Sequence, residues 1–117
     1  MKELVSIITA SFNSEKYISK TIESVINQSH TNWELLITDD YSTDNTIEII
    51  ESYIKNNSRI KIFKSEKNSG AAVARNNSIN NSKGKYIAFL DSDDLWEKNK
   101  LHEQLHFMKD NNIQFSF

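Results

Sequence analysis

The sequence predicts an α/β sandwich built on a central, mostly parallel sheet. Three observations lead there. Short β-type runs alternate with segments of helical periodicity, two of those runs end on paired aspartates, and 117 residues suit one domain of the common size, roughly 100–150 residues.

Leu4 to Ala10 is a β-type run that passes into polar Ser11-Phe12-Asn13. Apolar residues then recur at Ile18, Ile22, Val25 and Ile26, which is helical spacing with Ser14 placed as N-cap. Trp33 to Thr38 reads as the second strand and stops at Asp39-Asp40. Asp44 is placed to cap a helix carrying Ile47, Ile50 and Ile54. Arg59 to Lys64 alternates as a strand does, and after Asn68-Ser69-Gly70 an alanine-rich helix runs from Ala71 to Asn81. Lys85 to Leu90 is the fourth strand, ending at Asp91-Ser92-Asp93-Asp94. A last helix presents Leu101, Leu105 and Met108 on one side, and Ile113 to Phe117 begins a strand-like segment whose open edge could pair two copies into a homodimer. Such alternation calls for right-handed crossovers and a sheet covered on both faces. No internal repeat or Pro/Gly/Ser-rich linker interrupts it, so residues 1–117 read as one domain.

Composition narrows the function. With 14 Lys+Arg against 16 Asp+Glu there is no basic excess to neutralise phosphates, so a nucleic-acid partner is not expected. The absence of cysteine excludes disulfides, cysteine-ligated zinc and thiol chemistry. Apolar runs such as Ile87 to Leu90 fall far short of the ~20 residues needed to cross a bilayer. Met1-Lys2-Glu3 leads straight into strand-like sequence, so no signal peptide is read and a cytoplasmic setting is expected. The lack of proline and the presence of only 2 glycines, beside abundant Asn, Ile, Ser and Lys, read as an AT-rich coding genome.

The acidic residues carry the chemistry. In an open parallel sheet all strand C-termini lie along one edge, where ligands bind at the topological switch point. Asp39 and Asp40 after the second strand, and Asp91, Asp93 and Asp94 after the fourth, are thereby expected around one crevice with Ser11 and Asn13. So many acids repel a phosphate ligand unless a cation intervenes. In an extended Asp91-x-Asp93 both carboxylates point the same way, toward one divalent ion. Mg²⁺ or Mn²⁺, which seek oxygen and bridge to substrate phosphates, suit that set better than zinc. The plainer reading is a solvated acidic turn in which Asp93 or Asp94 caps the next helix. Two Asp pairs at matching strand ends favour the first.

Four blocks in order, Val5 to Asn13, Glu34 to Asp44, Asn68-Ser69-Gly70 with Ala74-Arg75-Asn76, and Gly84 to Asp94, resemble the family 2 glycosyltransferases, inverting enzymes of the GT-A fold. Any one block is weak, but together they cover nearly the whole chain. The resemblance implies a GT-A, Rossmann-like α/β/α sandwich with a mostly parallel central sheet. It also implies a nucleotide-diphosphate-sugar donor, a UDP-sugar by preference, and Mn²⁺ or Mg²⁺ at the Asp-x-Asp motif. Asp93 is then the direct metal ligand, with Asp91 beside it near the ribose or donor sugar. Asp40 accepts a hydrogen bond from the base, and Asp39 with the segment Thr9, Ala10, Ser11 and Asn13 lines the base pocket. Gly70 and Ser92 fall on the same nucleotide-sugar site. Arg75 matches a position near the diphosphate, with an ion pair to Asp39 or Asp91 as the alternative, while Asp94 either supports the site or caps a helix. His30 and Trp33 read as a turn residue and a core aromatic.

The sequence departs from the family at Ala10, usually Pro, at Tyr41 and Ser78, usually Gly, and at Lys98, usually Pro. Tyr41 is the most consequential, since a bulky ring stands where glycine fits a turn easily. It either narrows the base pocket or stacks at its edge. In the resembling family the general base lies well downstream of the Asp-x-Asp motif. Here Glu97, Glu103 and Asp110 are the acids that follow, and all three are expected on the last helix, away from the sheet edge. The chain is therefore read as the donor-binding N-terminal part of a longer bacterial hexosyltransferase of polysaccharide biosynthesis. Such an enzyme acts on a glycan, lipid-linked or protein acceptor, at the inner face of the membrane when full-length, and this part binds donor without transferring it.

Two other classes are weighed. One is a nucleotide- or metal-binding module without turnover. The other follows from His102-Glu103-Gln104-Leu105-His106, which matches the zinc-protease H-E-x-x-H pattern on an expected helix. A catalytic zinc of that type needs a third protein ligand, and Lys109 and Asn112 stand where the longer motif has Gly and a third His.

Overall fold

The computed structural model describes residues 3–113 and 115–116. The chain alternates β1 (Val5–Ser11), α1 (Ile18–Ile26), β2 (Trp33–Asp39), α2 (Thr46–Ile54), β3 (Ile60–Lys64), α3 (Ala71–Asn80), β4 (Tyr86–Phe89), α4 (Lys100–Asp110) and β5 (Phe115–Ser116). The strands form one sheet in the order β3-β2-β1-β4-β5, and every pairing is parallel. Val5 stands beside Trp33 on one side and Tyr86 on the other. Successive units thus build outward from β1 through β2 to β3, and the chain then crosses to the opposite side of β1 to lay down β4. This reversal is the topological switch point, and the crevice beyond β1 and β4 is where an open α/β sheet takes its ligand.

Strand pleating sorts the residues between two faces. Val5, Ile7, Trp33, Leu35, Ile37 and Ala88 belong to the main core, with Ile18, Ile22 and Val25 of α1, Ile50 of α2 and Leu101, Leu105 and Met108 of α4. Ile8, Leu36 and Ile87 form a smaller core on the other face with Phe63 and Ile79, beneath α3. Both faces are covered, so β1 and β2 are buried almost throughout and read as near-continuous apolar runs. The smaller face also buries polar pairs. Ser6 donates to Glu34 at 2.6 Å, and the Thr38 and Ser78 hydroxyls meet at 2.8 Å.

Several boundaries differ from the sequence reading. The first helix begins at Ile18, not after Ser14, whose carbonyl instead closes a turn by accepting from Tyr17 and Ile18 N–H groups. Asp44 does serve the start of α2, accepting from the Thr46 N–H at 2.9 Å and from the Thr46 hydroxyl. Glu97 precedes α4, so of the three downstream acids only Glu103 and Asp110 lie on that helix. His30 and Trp33 are buried. His30 Nε2 lies 2.9 Å from the Glu3 carbonyl, and the Arg59 guanidinium stacks 3.9 Å from the Trp33 ring centre. The proposed pairing edge runs into Gln114 and Phe117, which lie outside the described residues. No described helix is long and apolar enough to cross a membrane.

Candidate functional site

A cleft of about 370 Å³ opens at the carboxyl ends of β1 and β4. Ala10 to Ser14 and Tyr17 form one wall, Asp91, Ser92 and Asp93 face them, and Asp40, Ala71 and Arg75 complete it. The volume is within the range of small-molecule sites. A larger cavity of about 650 Å³ lies to one side, lined by residues 94–100 and Glu103. Asp94 is the only strand-end acid it takes, so the smaller cleft is the one at the switch point.

The wall after β1 is held from β2 and its following loop. Asn13 has φ +46°, a left-handed conformation that asparagine tolerates better than most residues. Its N–H donates to Ser42 Oγ at 2.9 Å, and its Oδ1 accepts from the Thr43 N–H at 2.8 Å. The Ser14 N–H donates to Thr46 Oγ1 at 2.8 Å. Two loops that end adjacent parallel strands are thus tied together.

The two adjacent aspartates part company. Asp39 is completely buried and lines no part of the cleft: it accepts from the Ser11 hydroxyl at 2.7 Å, the Ser42 hydroxyl at 2.6 Å and the Ser42 N–H at 2.8 Å. Asp40, one residue on and facing the other side, does border the cleft. Its two oxygens accept the Ser69 and Gly70 N–H groups at 2.8 Å each, which fixes the entry to α3. Gly70 itself, with φ +98° at the N-cap of α3, sits behind this carboxylate and not in the cleft wall. Thr9 is likewise outside the wall, buried, and its hydroxyl oxygen has no hydrogen-bond partner among the described residues.

The acidic segment is a turn, not the extended stretch expected from the sequence. The Asp94 N–H donates to the Asp91 carbonyl at 3.1 Å, which puts Ser92 and Asp93 at the corner. Asp91 and Asp93 still line the same cleft, carried there by a turn in place of strand alternation. Asp94 caps no helix: it accepts from the Leu95 N–H at 2.9 Å, while α4 starts after Asn99. Arg75 reaches Asp91 at 3.4 Å, the alternative foreseen for it. Both side chains are more than a third exposed, so the pair adds little stability and leaves the guanidinium available at the cleft.

Among the described residues no three His, Cys, Asp or Glu side chains gather as a metal cage. Asp91 and Asp93 offer two hard oxygen donors, which suits a cation such as Mg²⁺ that keeps waters and takes substrate phosphate oxygens as its other ligands. His102 and His106 share one side of α4 with ring centres 5.1 Å apart, and no third ligand joins them among the described residues.

Tyr17, Ser14 and Ala71 line the cleft but were not picked out for it from the sequence. The available signal was Tyr17, a large ring placed where the following helix needs no apolar residue, and it is more than half exposed, as Phe12 nearly is. Of the departures, Ala10 borders the cleft, Ser78 is buried against Thr38, and Tyr41 adopts φ +69° with its ring exposed.

The model of the family described as Glycosyl transferase family 2 matches residues 6–116. TuaG of Bacillus subtilis, whose name assigns it provisionally as a teichuronic acid biosynthesis glycosyltransferase, is 52% identical over 116 residues, 99% of this chain and 46% of that protein. WfgD of Escherichia coli, named a UDP-Glc:alpha-D-GlcNAc-diphosphoundecaprenol beta-1,3-glucosyltransferase, is 49% identical over 115 residues, 97% of this chain and 44% of that protein. Residues 1–349 of S. aureus TarS, solved with UDP, match with a TM-score of 0.84 at 33% identity, over 96% of this chain and 33% of that one. The same TarS fragment has been solved with UDP-GlcNAc. The chain spans a little under half the length of these two curated relatives.

Proposed function

The chain belongs to glycosyl transferase family 2, and on that premise we propose that its cleft holds the donor of an inverting hexosyl transfer, a UDP-sugar. One observation carries the reading: the acidic turn Asp91–Asp93 faces the Ala10–Ser14 segment across the β1/β4 switch point. The UDP and UDP-GlcNAc bound by TarS supply the nucleotide.

In this reading Asp93, with Asp91, holds Mn²⁺ or Mg²⁺, whose contribution when bound is to offset the charge of the diphosphate leaving group. Arg75, which lines the same cleft, would pair with the same phosphates. The Ala10–Asn13 segment and Asp40 frame the base, and the second lone pair on an Asp40 oxygen receives the uracil N3–H. Asp39 acts one step behind, by fixing Ser11 and Ser42. The acceptor is a glycan, lipid-linked or protein hydroxyl, which attacks the anomeric carbon opposite the departing UDP and passes its proton to a carboxylate base. Glu97, Glu103 and Asp110 line no part of the cleft, so the base and the acceptor surface are assigned outside this region, in the length that its relatives possess and the chain does not span. The diphosphoundecaprenol in the name of WfgD favours a lipid-linked acceptor, and with it bacterial polysaccharide synthesis at the cytoplasmic face of the membrane.

Calorimetry with UDP, UDP-sugars and ADP in the presence of Mn²⁺ tests the reading. Binding of UDP and a UDP-sugar, with ADP weaker, is the expected result. Absence of UDP binding with either Mn²⁺ or Mg²⁺ would overturn it. Acceptor-dependent release of UDP by the 117 residues alone would instead place the base within this chain.

A further inference from the structure

We propose that Thr21, which lies outside the cleft wall, is a positioning residue for Asp93, holding the acidic turn in the shape that takes a divalent cation and a diphosphate. The proposal rests on the donor-site reading above.

Thr21 is buried in the middle of α1. Its hydroxyl faces two backbone carbonyls, those of Asp94 at 2.7 Å and Ser92 at 3.1 Å. They flank Asp93 in the chain. A single hydroxyl hydrogen shared between them fixes the spacing of the peptide groups on both sides of that residue. The Asp93 carboxylate has no hydrogen-bond partner of its own among the described residues and is exposed, so its direction is set by the backbone that carries it. A second anchor comes from the turn that precedes α1, where the Ser14 and Ser92 hydroxyls meet at 2.9 Å.

The pattern continues along the helix and just past its end. Ser24 Oγ accepts from the Trp96 N–H at 3.2 Å, and Gln28 donates to the Glu97 carbonyl at 2.6 Å while accepting from the Leu101 N–H at 2.9 Å. Thr21 and Ser24 lie on one side of α1, and Gln28, just past the end of the helix, extends the same row at spacings of three and four residues. Together they supply polar partners to a segment that has no regular structure between β4 and α4. Of the three, only Thr21 acts on the two residues adjoining Asp93. An outer contact of this kind sets metal affinity by orienting the ligand, and losing it costs about 10–100-fold.

The test compares Thr21→Val, which keeps the shape and removes the hydroxyl, with Thr21→Ser, which keeps the hydroxyl. UDP binding is followed by calorimetry across a Mn²⁺ titration and in EDTA. For Thr21→Val the Mn²⁺ concentration giving half-maximal UDP binding should rise about 10-fold or more. UDP affinity in EDTA should stay at the wild-type value, and Thr21→Ser should restore the Mn²⁺ requirement. If Thr21→Val does not fold, Thr21→Ala, which also removes the hydroxyl, is read in the same way. A folded Thr21→Val or Thr21→Ala with the wild-type Mn²⁺ requirement overturns the positioning role alone. So does an equal loss of affinity with and without metal, which is the mark of a general packing defect. A wild-type protein that binds UDP equally in Mn²⁺ and in EDTA overturns the metal reading of the cleft as well.

Discussion

The Asp39 carboxylate and the Ser11 hydroxyl meet at 2.7 Å with neither residue open to solvent. This contact joins the carboxyl ends of β1 and β2 and continues through Ser42 into the loop before α2. A buried carboxylate is tolerated there because three donors surround it. Its neighbour Asp40 lies on the opposite face of the sheet and secures a different element, the start of α3.

Asp40 therefore has a measurable structural role apart from any ligand. Removing its carboxylate leaves the Ser69 and Gly70 N–H groups without a charged acceptor, and hydrogen bonds to charged groups are worth about 1.5–3 kcal/mol. Urea denaturation of Asp40→Ala should show a loss of that order. Asp40→Asn should recover little of it, because its amide turns a donor toward one of the two N–H groups. UDP affinity should fall by a similar amount, and stability equal to wild type would mean that the two backbone bonds are dispensable.

The acidic turn gives a ranking. Asp93 lines the cleft and is assigned the cation, whereas Asp94 engages the Leu95 N–H. Asp93→Asn should abolish the Mn²⁺ enhancement of UDP binding, and Asp94→Asn should keep most of it. Equal losses in a calorimetric titration would reverse the assignment.

Tyr41 holds a left-handed conformation at φ +69° with its ring more than half exposed. That conformation costs a non-glycine residue roughly 1–2 kcal/mol, and the greater freedom of glycine in the unfolded chain offsets about 0.5–1 kcal/mol of the relief. Tyr41→Gly should thus stabilise the protein, by up to about 1 kcal/mol, seen as a higher urea midpoint. A lower midpoint would show that the ring makes a packing contribution larger than the strain.

Gly84 lies at the other end of the sheet. A Cβ there would stand 2.6 Å from Ser6 Oγ, 2.7 Å from Ser6 N and 2.9 Å from the Leu4 carbonyl oxygen, and the last two are backbone atoms of β1 and its approach. Gly84→Ala should destabilise by about 1–3 kcal/mol, as overpacking does. UDP binding by the folded fraction should be unchanged, since no cleft residue is involved; a thermal melt equal to wild type would contradict the clash.

Asp44 sets an acid-side dependence. Burial alone would raise its pKa, but hydrogen bonds from the Thr46 hydroxyl, the Thr46 N–H and the Glu15 N–H outweigh it and hold the carboxyl below its ordinary value of 3.8. A lowered folded-state pKa means a contribution fully present above the unfolded value and lost as the pH falls through the folded one. The stability gap between wild type and Asp44→Ala should accordingly be constant at neutral pH and close below the ordinary carboxylate range. A gap that widened in acid would refute the sign.

The sequence by itself determined the alternation of strands and helices, the placing of Asp39, Asp40, Asp91 and Asp93 at strand ends, and so the edge of the sheet that carries the cleft. These are local matters of side-chain period and chain order. What each acid does there was decided by tertiary structure. Asp39 and Asp40 are adjacent in sequence, yet the pleat turns them to opposite faces, and apart from the local Ser42 their partners lie 28 to 30 residues away, in Ser11, Ser69 and Gly70. The acidic turn is shaped from α1, where Thr21 reaches carbonyls 71 and 73 residues further along. A threonine among the apolar residues of a helix carries no local mark of such a role. It emerges only when packing brings the helix against the acidic turn, whose carbonyls then take their donor from it.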